Sequence, residues 1–203
     1  MIRKILLLFS VYLLNACVSV EKQSYTAIKK IDSIEIRSYP VSLVAEVKVK
    51  GNFNEVGNKG FRILANFIFG KNTKNTTIKD NSIENQIIKK NSEKIKMTAP
   101  VEMNKQGDEH IIRFIMPSKY TLKTLPRPLD KRVIIKKTKE NKKAALTYYG
   151  SWSESNFKKH KDILIKQLQK NSISWSGDFI FARYNSPWTL WFLRKNEVLV
   201  QIN

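Results

Sequence analysis

The chain is short of the residues that most chemistry needs. It has one cysteine in 203 residues, so no disulfide within the chain supports its fold. Its histidines are two, His110 and His160. There is no Gly-x-Ser-x-Gly elbow, no glycine-rich phosphate loop and no Cys/His cluster with zinc spacing. An enzyme needs a positioned set of titratable groups, and no acid–base pair is legible here. Acidic residues are scarce as well: 17 Asp and Glu stand against 37 Lys and Arg, a net charge of +20. No long hydrophobic run exists either. The apolar stretch from Ile5 to Leu14 is about ten residues, too short to span a bilayer as a helix.

That stretch has the length of a signal-peptide core. Arg3 and Lys4 precede it, and Leu14-Asn15-Ala16-Cys17 follows it. The tetrapeptide resembles a lipobox, and the single cysteine stands at the position that such processing requires. The resemblance implies a signal peptide over 1–16, cleavage after Ala16 and acylation of Cys17. Several acyl chains give stable anchoring where one would not. The expected location is the cell envelope, with the protein lipid-anchored to a membrane. With Val18 after the cysteine, outer-membrane sorting facing the periplasm is favoured in a Gram-negative cell. Residues 17–30 are expected to be a tether and 31–203 a single domain, long enough to bury a substantial core.

Export argues against nucleic acid as the partner of this basic chain. The lysines are spread along the sequence and not gathered in one stripe, which fits a solvated lysine surface. Attraction to anionic headgroups or to an anionic ligand is the sharper alternative.

The domain reads as two copies of one unit. In the first, Ile31 to Tyr39 and Val41 to Val49 alternate as strands. Gly51 ends the second strand. Asn54 is placed to cap a helix running to about Phe69, with Phe53 as a hydrophobic staple. In the second copy, Arg132 to Thr138 and Ala144 to Tyr149 are strands. Gly150 ends the latter, and Ser153 caps a helix whose inner stripe is Phe157, Ile163, Leu164 and Leu168. Two more strands follow each helix: Ile95 to Asn104 and His110 to Pro117, then Asp178 to Tyr184 and Glu197 to Ile202. Strand-strand-helix-strand-strand, twice, predicts an α+β domain with an antiparallel sheet and both helices packed on it.

Several segments carry a family resemblance. Lys94-Ile95-Lys96-Met97-Thr98-Ala99-Pro100-Val101, Arg113 to Leu122, Leu125-Pro126-Arg127-Pro128, Ala182 to Thr189 and Phe192 to Val198 resemble, in order and spacing, the SOUL heme-binding family. The resemblance implies a pseudo-two-fold, distorted barrel-like sheet with two long helices, and kinship to GyrI-like small-molecule-binding domains. One departure is a polar extension over 71–93, where the family has a short link. Part of it, Asp80 to Asn91, could form a short amphipathic helix or a loop.

The resemblance also implies heme, or a related tetrapyrrole, as the ligand. Heme needs an apolar slot for its macrocycle and cations for its propionates. The candidates for the slot are Phe61, Leu64, Ala65 and Ile68 on the first helix, with Trp188, Leu190, Trp191 and Phe192 in an aromatic loop. Packing in the core explains the helix residues better than a ligand does, whereas closure of one end of the sheet explains the loop equally well. Lys59, Arg62, Arg194 and Lys195 are candidates for the propionates. Ser38 stands where some animal members have a proposed iron-ligand histidine. His160 is expected at the rim of the core and His110 at an exposed turn. The reading is a lipid-anchored, non-catalytic tetrapyrrole-binding domain. The alternative is an envelope module for another apolar anionic ligand or a partner protein.

Overall fold

A computed structural model describes residues 20–74 and 91–203. The lipobox with Cys17, and the extension's expected helix up to residue 90, lie outside the described residues. Among those described, no helix is long and apolar enough to cross a membrane.

The first half contains β3 (Ile34–Tyr39), β4 (Leu43–Lys50), α1 (Phe53–Ile68), β7 (Val101–Gln106) and β8 (Glu109–Ile115). The second contains β10 (Ile134–Lys137), β11 (Asn141–Tyr149), α2 (Glu154–Lys170), β12 (Trp175–Arg183) and β13 (Lys195–Ile202). With β2 (Thr26–Ile31) they form a nine-stranded sheet in the order β10-β4-β8-β7-β12-β13-β11-β3-β2. Every pair in it is antiparallel. With the extra edge strand β2 set aside, the order is symmetric about the β7–β12 contact. The first strand of each half pairs with the second strand of the other: β3 with β11, β10 with β4. Each half therefore completes its partner's sheet.

Residues expected to be tether join the fold. β2 forms a hairpin with β3, and β1 (Glu21–Lys22) lies parallel to β6 (Thr98–Ala99). The strand read as Ile95 to Asn104 is broken at Pro100, which has no N–H to donate to a ladder. Its first part, β6, pairs with β1 and not with the large sheet. Two short strands, β5 (Asn72–Thr73) and β9 (Arg127–Pro128), pair outside it. The buried Asn72 side chain donates to Phe67 and Glu93 carbonyls at 2.7 and 2.8 Å and accepts from the Glu93 N–H at 3.0 Å. It thus ties together the two ends of the extension.

Both helices lie on one face of the sheet. Val56, Leu64, Phe67 and Ile68 of α1 share one buried cluster with Leu164 and Leu168 of α2 and with inward side chains of seven strands' alternating positions, among them Ile34, Val47, Ile112, Leu146, Phe181 and Val198. The N-cap of α1 is Asn52, not Asn54: its Oδ1 accepts from the Glu55 N–H at 3.1 Å. Phe53 is thereby the first helical residue. It stacks at 5.7 Å on both Phe157 and Phe181 instead of stapling the helix start. Ser153 caps α2 as expected.

Candidate functional site

The two faces of the sheet differ in chemistry. The helix face is apolar. The other carries charge and is nonetheless buried: Arg37, Glu46, Glu102, Lys143 and Glu197 are each at most 8% exposed. Glu197 is its centre, with no exposure. Arg37 forks onto it at 2.9 and 3.1 Å, the Tyr184 hydroxyl donates at 2.6 Å, Thr147 donates at 2.9 Å, and Lys195 stands at 3.0 Å. Burial alone would raise the Glu197 pKa, but these partners hold it below the usual carboxylate range. Burial also opposes charge on Arg37, and the fork to Glu197 overrides it, keeping the guanidinium charged. Glu46 is held down in the same way, against burial, by Lys136 and Arg113. Glu102 meets Lys143 at 3.4 Å. Buried ion pairs of this kind fix geometry; the Glu197 and Glu46 carboxylates, held below the usual range, are not poised to exchange protons near neutral pH.

The histidines are placed as follows. His160 lies at the rim of the core. Its Nδ1 is 2.8 Å from the Asn156 carbonyl, and its ring stacks on Tyr148 at 3.8 Å. His110 is not the exposed turn residue expected. It is on β8 at 8% exposure, edge-on to Phe53, and burial lowers its pKa. The strand begins one residue earlier than the turn chemistry suggests, so His110 shares the inner face with Ile112 and Phe114. Among the described residues, no group of three or more His, Cys, Asp or Glu could hold a metal.

The apolar candidates on α1 separate by helical face. Leu64 and Ile68 are enclosed in the core at 0% and 1% exposure, so they present no surface to a ligand. Phe61 and Ala65 are half-buried on the flank, with Phe61 edge-on to Phe114 at 5.3 Å. The loop is different. Trp188, Leu190, Trp191, Phe192 and Leu193 are 93%, 60%, 62%, 51% and 54% exposed. Contiguous exposure of large apolar side chains marks an interaction site more often than packing. A 3-10 turn over Trp191–Leu193 gives this run its shape.

Of the candidate propionate partners, Arg194 and Lys195 are engaged within the protein. Arg194 donates to the Thr189 and Pro187 carbonyls, both at 2.8 Å, and lies over the Trp152 ring. It is the pin that holds the aromatic loop in place. Lys195 pairs with Glu197 and sits over Tyr184. Lys59 and Arg62 are exposed on α1 and form no ion pair among the described residues. A residue that the sequence reading passed over is Arg183, on the helix face of β12. Its period-two position after Phe179 and Phe181 put it inward, and that was the available signal.

A cavity of about 680 Å³ opens elsewhere, between β1, the start of β4 and the loop 117–123. Met116 and Ile115 lie on its apolar side; Lys22, Lys123 and Lys137 are on its rim. A smaller one of about 240 Å³ lies by Phe53, His110 and Phe157.

The family model for the SOUL heme-binding protein matches residues 20–201. No curated protein matches the chain. Among solved structures, the EcmrR C-terminal domain is similar at 8% identity and a TM-score of 0.54, over 88% of this chain and 98% of that one. A hydrolase from Listeria innocua is similar at 10% identity and 0.51, over 96% and 98%. A conserved protein from Listeria innocua gives 10% and 0.53, over 84% and 92%. At these identities the likeness is one of fold.

Proposed function

The chain belongs to the SOUL heme-binding protein family, and from that premise we propose that it is a lipid-anchored, non-catalytic domain that holds heme or a related tetrapyrrole on the aromatic loop of residues 188–193. The observation that carries this reading is the loop itself: five large apolar side chains, each more than half exposed, on a backbone pinned by Arg194. A pinned platform loses little conformational freedom when it binds. Of the α1 candidates, Phe61 and Ala65 are the two that keep surface for a ligand, and Lys59 and Arg62 form no ion pair among the described residues.

Absence of catalysis is supported by the state of the buried acids. Glu197, Glu46 and Glu102 are each pinned by a cation. The anchor is supported by the lipobox, Leu14-Asn15-Ala16-Cys17. Two residues stand between Cys17 and Val20, a reach of at most about 10 Å. Since Glu21–Lys22 is already paired with β6, and the Glu21 carboxylate accepts from the Ser118 N–H at 2.8 Å, acylation at Cys17 would hold this end of the domain against the bilayer. Palmitate labelling tests it. Wild type is expected to take label and Cys17→Ser to take none; equal labelling refutes the anchor.

The ligand reading is tested by a Soret titration with hemin. Trp191→Ala is expected to weaken binding by about 1–3 kcal/mol, the loss of a large aromatic contact. His160→Ala and His110→Ala are expected to leave the Soret position unchanged. A histidine variant that abolishes the shift, beside a tryptophan variant that keeps it, refutes the platform.

The 680 Å³ cavity favours a second reading, a module for another apolar anion. It has the size of a small-molecule site, lysines on its rim, and a place at the end where the anchor enters. Retention of a fatty acid or lipid by the purified chain, with no response to hemin, would select it.

A further inference from the structure

Arg183 breaks a rule that the rest of the molecule keeps. The other deeply set cations, Arg37 and Lys143, each face a carboxylate. Among the described residues Arg183 has no ion pair and no side-chain hydrogen bond, and its Nε is shut off from solvent with no acceptor. A guanidinium carries five N–H donors and no acceptor, and leaving buried donors unmet is costly. The side chain is nonetheless held firmly. It emerges from the end of β12, where Arg183 is paired with Val101 of β7. Its guanidinium carbon lies 5.1 Å from the Trp152 ring centre and 5.8 Å from that of Phe181. Both terminal nitrogens, Nη1 and Nη2, lie 3.6 Å from where a side chain at Gly57 would begin, so α1 leaves the space beside them open. Burial without a partner lowers its pKa to about 10, which still leaves it charged at neutral pH. The residue as a whole is half-buried, and Nε is the nitrogen that is wholly enclosed.

Trp152 connects this cation to the aromatic loop. Arg194, the pin of the loop, lies over the same ring at 4.4 Å. Arg183 and the pin of the loop therefore share one ring, which sets an unmatched, planar, doubly donating cation one side chain away from the base of the loop. Carboxylates meet arginine in that forked geometry, and the match is stronger than that of a neutral hydrogen bond. We propose that Arg183 is the anchor for a carboxylate of the bound ligand, in place of Arg194 and Lys195, whose donors are already engaged. The inference rests on the tetrapyrrole reading and names its polar contact: one propionate on Arg183, the macrocycle on Trp188 to Leu193.

The test compares hemin with hemin dimethyl ester, which keeps the macrocycle and has no free carboxylate. Both are titrated into the purified full chain, wild type, Arg183→Gln and Arg183→Lys. Wild type is expected to prefer hemin. Arg183→Gln should weaken hemin about 10- to 100-fold, the scale of a lost charge-assisted pair, and leave the ester within about twofold. Arg183→Lys should fall between, since it keeps the charge and loses the fork. Thermal unfolding serves as the control for folding: removing an unpaired buried cation should not lower the midpoint. If wild type binds hemin and Arg183→Gln binds it equally, or if hemin and ester weaken together, the anchor is refuted while the ligand reading stands. If wild type binds neither, the ligand reading itself fails and takes this role of Arg183 with it.

Discussion

Gly57 and Gly60 lie on the same buried side of α1, and the same added methyl group should act on them in opposite directions. At Gly60 an ideal Cβ would fall 2.6, 2.7 and 2.9 Å from Cγ1, Cδ1 and Cβ of Ile112. Ile112 is fully enclosed on β8 and cannot swing away. Ordinary carbon contacts begin near 3.5 Å, so the helix or the strand must retreat by close to an ångström. Alanine improves helix propensity by about 1 kcal/mol, whereas overpacking a well-filled core costs about 1–3 kcal/mol. Because the clash involves a branch-point carbon, the upper part of that range applies, and Gly60→Ala should destabilise the protein by about 1–2 kcal/mol. Gly57→Ala meets only Arg183 and Met103, at 3.6 and 3.8 Å, which is ordinary contact. It should stabilise by about 0.5–1 kcal/mol while crowding the Arg183 donors and lowering hemin affinity. Urea unfolding of both variants is the assay. A cycle with Ile112→Ala sharpens it: the methyl at 60 should partly refill the space opened at 112, so the double variant should be more stable than the sum of the singles implies, by about 1 kcal/mol or more. Additive costs, or a Gly60→Ala variant as stable as wild type, would refute the close approach.

Arg37→Met leaves Glu197 buried with Lys195 as its remaining cation, and should cost about 3 kcal/mol in urea unfolding. Adding Glu197→Gln should recover part of that; a harmless Arg37→Met would show that the pair is not closed to water. Acid should weaken the fold in two stages. His110 has its folded pKa below the ordinary 6.5, so the unfolded chain takes up a proton first and stability declines as pH falls below about 6.5. Glu197 and Glu46 lie below the ordinary 4.5 in the folded state, so their contribution is complete above 4.5 and is lost as pH falls through their folded values. His110→Phe should remove the first decline and keep the second; a pH profile unchanged by it would refute the buried neutral ring.

The fold was legible where local signals are strong. Gly51 and Gly150 end their strands at left-handed φ values of 137° and 127°, and the helices that follow start within two residues of the expected caps. The apolar stripe of the second helix was read directly, and its Leu164 and Leu168 are at 0% exposure, as is Leu64 on the first helix. The exchange of β3 and β10 between halves was not legible. Periodicity says which side of a strand faces inward and nothing about its neighbour. For the same reason alternation puts Arg37, Glu46 and Glu197 on the face away from the helices without saying that this face is closed; all three are at most 3% exposed. Residues up to 30 looked like a tether because β2 is mostly exposed and polar; it is an edge strand held by its backbone ladder with β3. At the site, the exposed loop was readable from its run of large apolar residues. Arg183 was hidden by its place in a family motif, although its alternation with Phe179 and Phe181 pointed inward.

The most direct measurement is a hemin titration of the purified full chain followed in the Soret band, with matched protein-free samples subtracted. A saturable shift at one equivalent, retained in His110→Ala and His160→Ala and weakened in Trp191→Ala, is the result expected of a platform that holds heme by apolar contact. A change that never saturates, or none, would contradict heme binding at this domain.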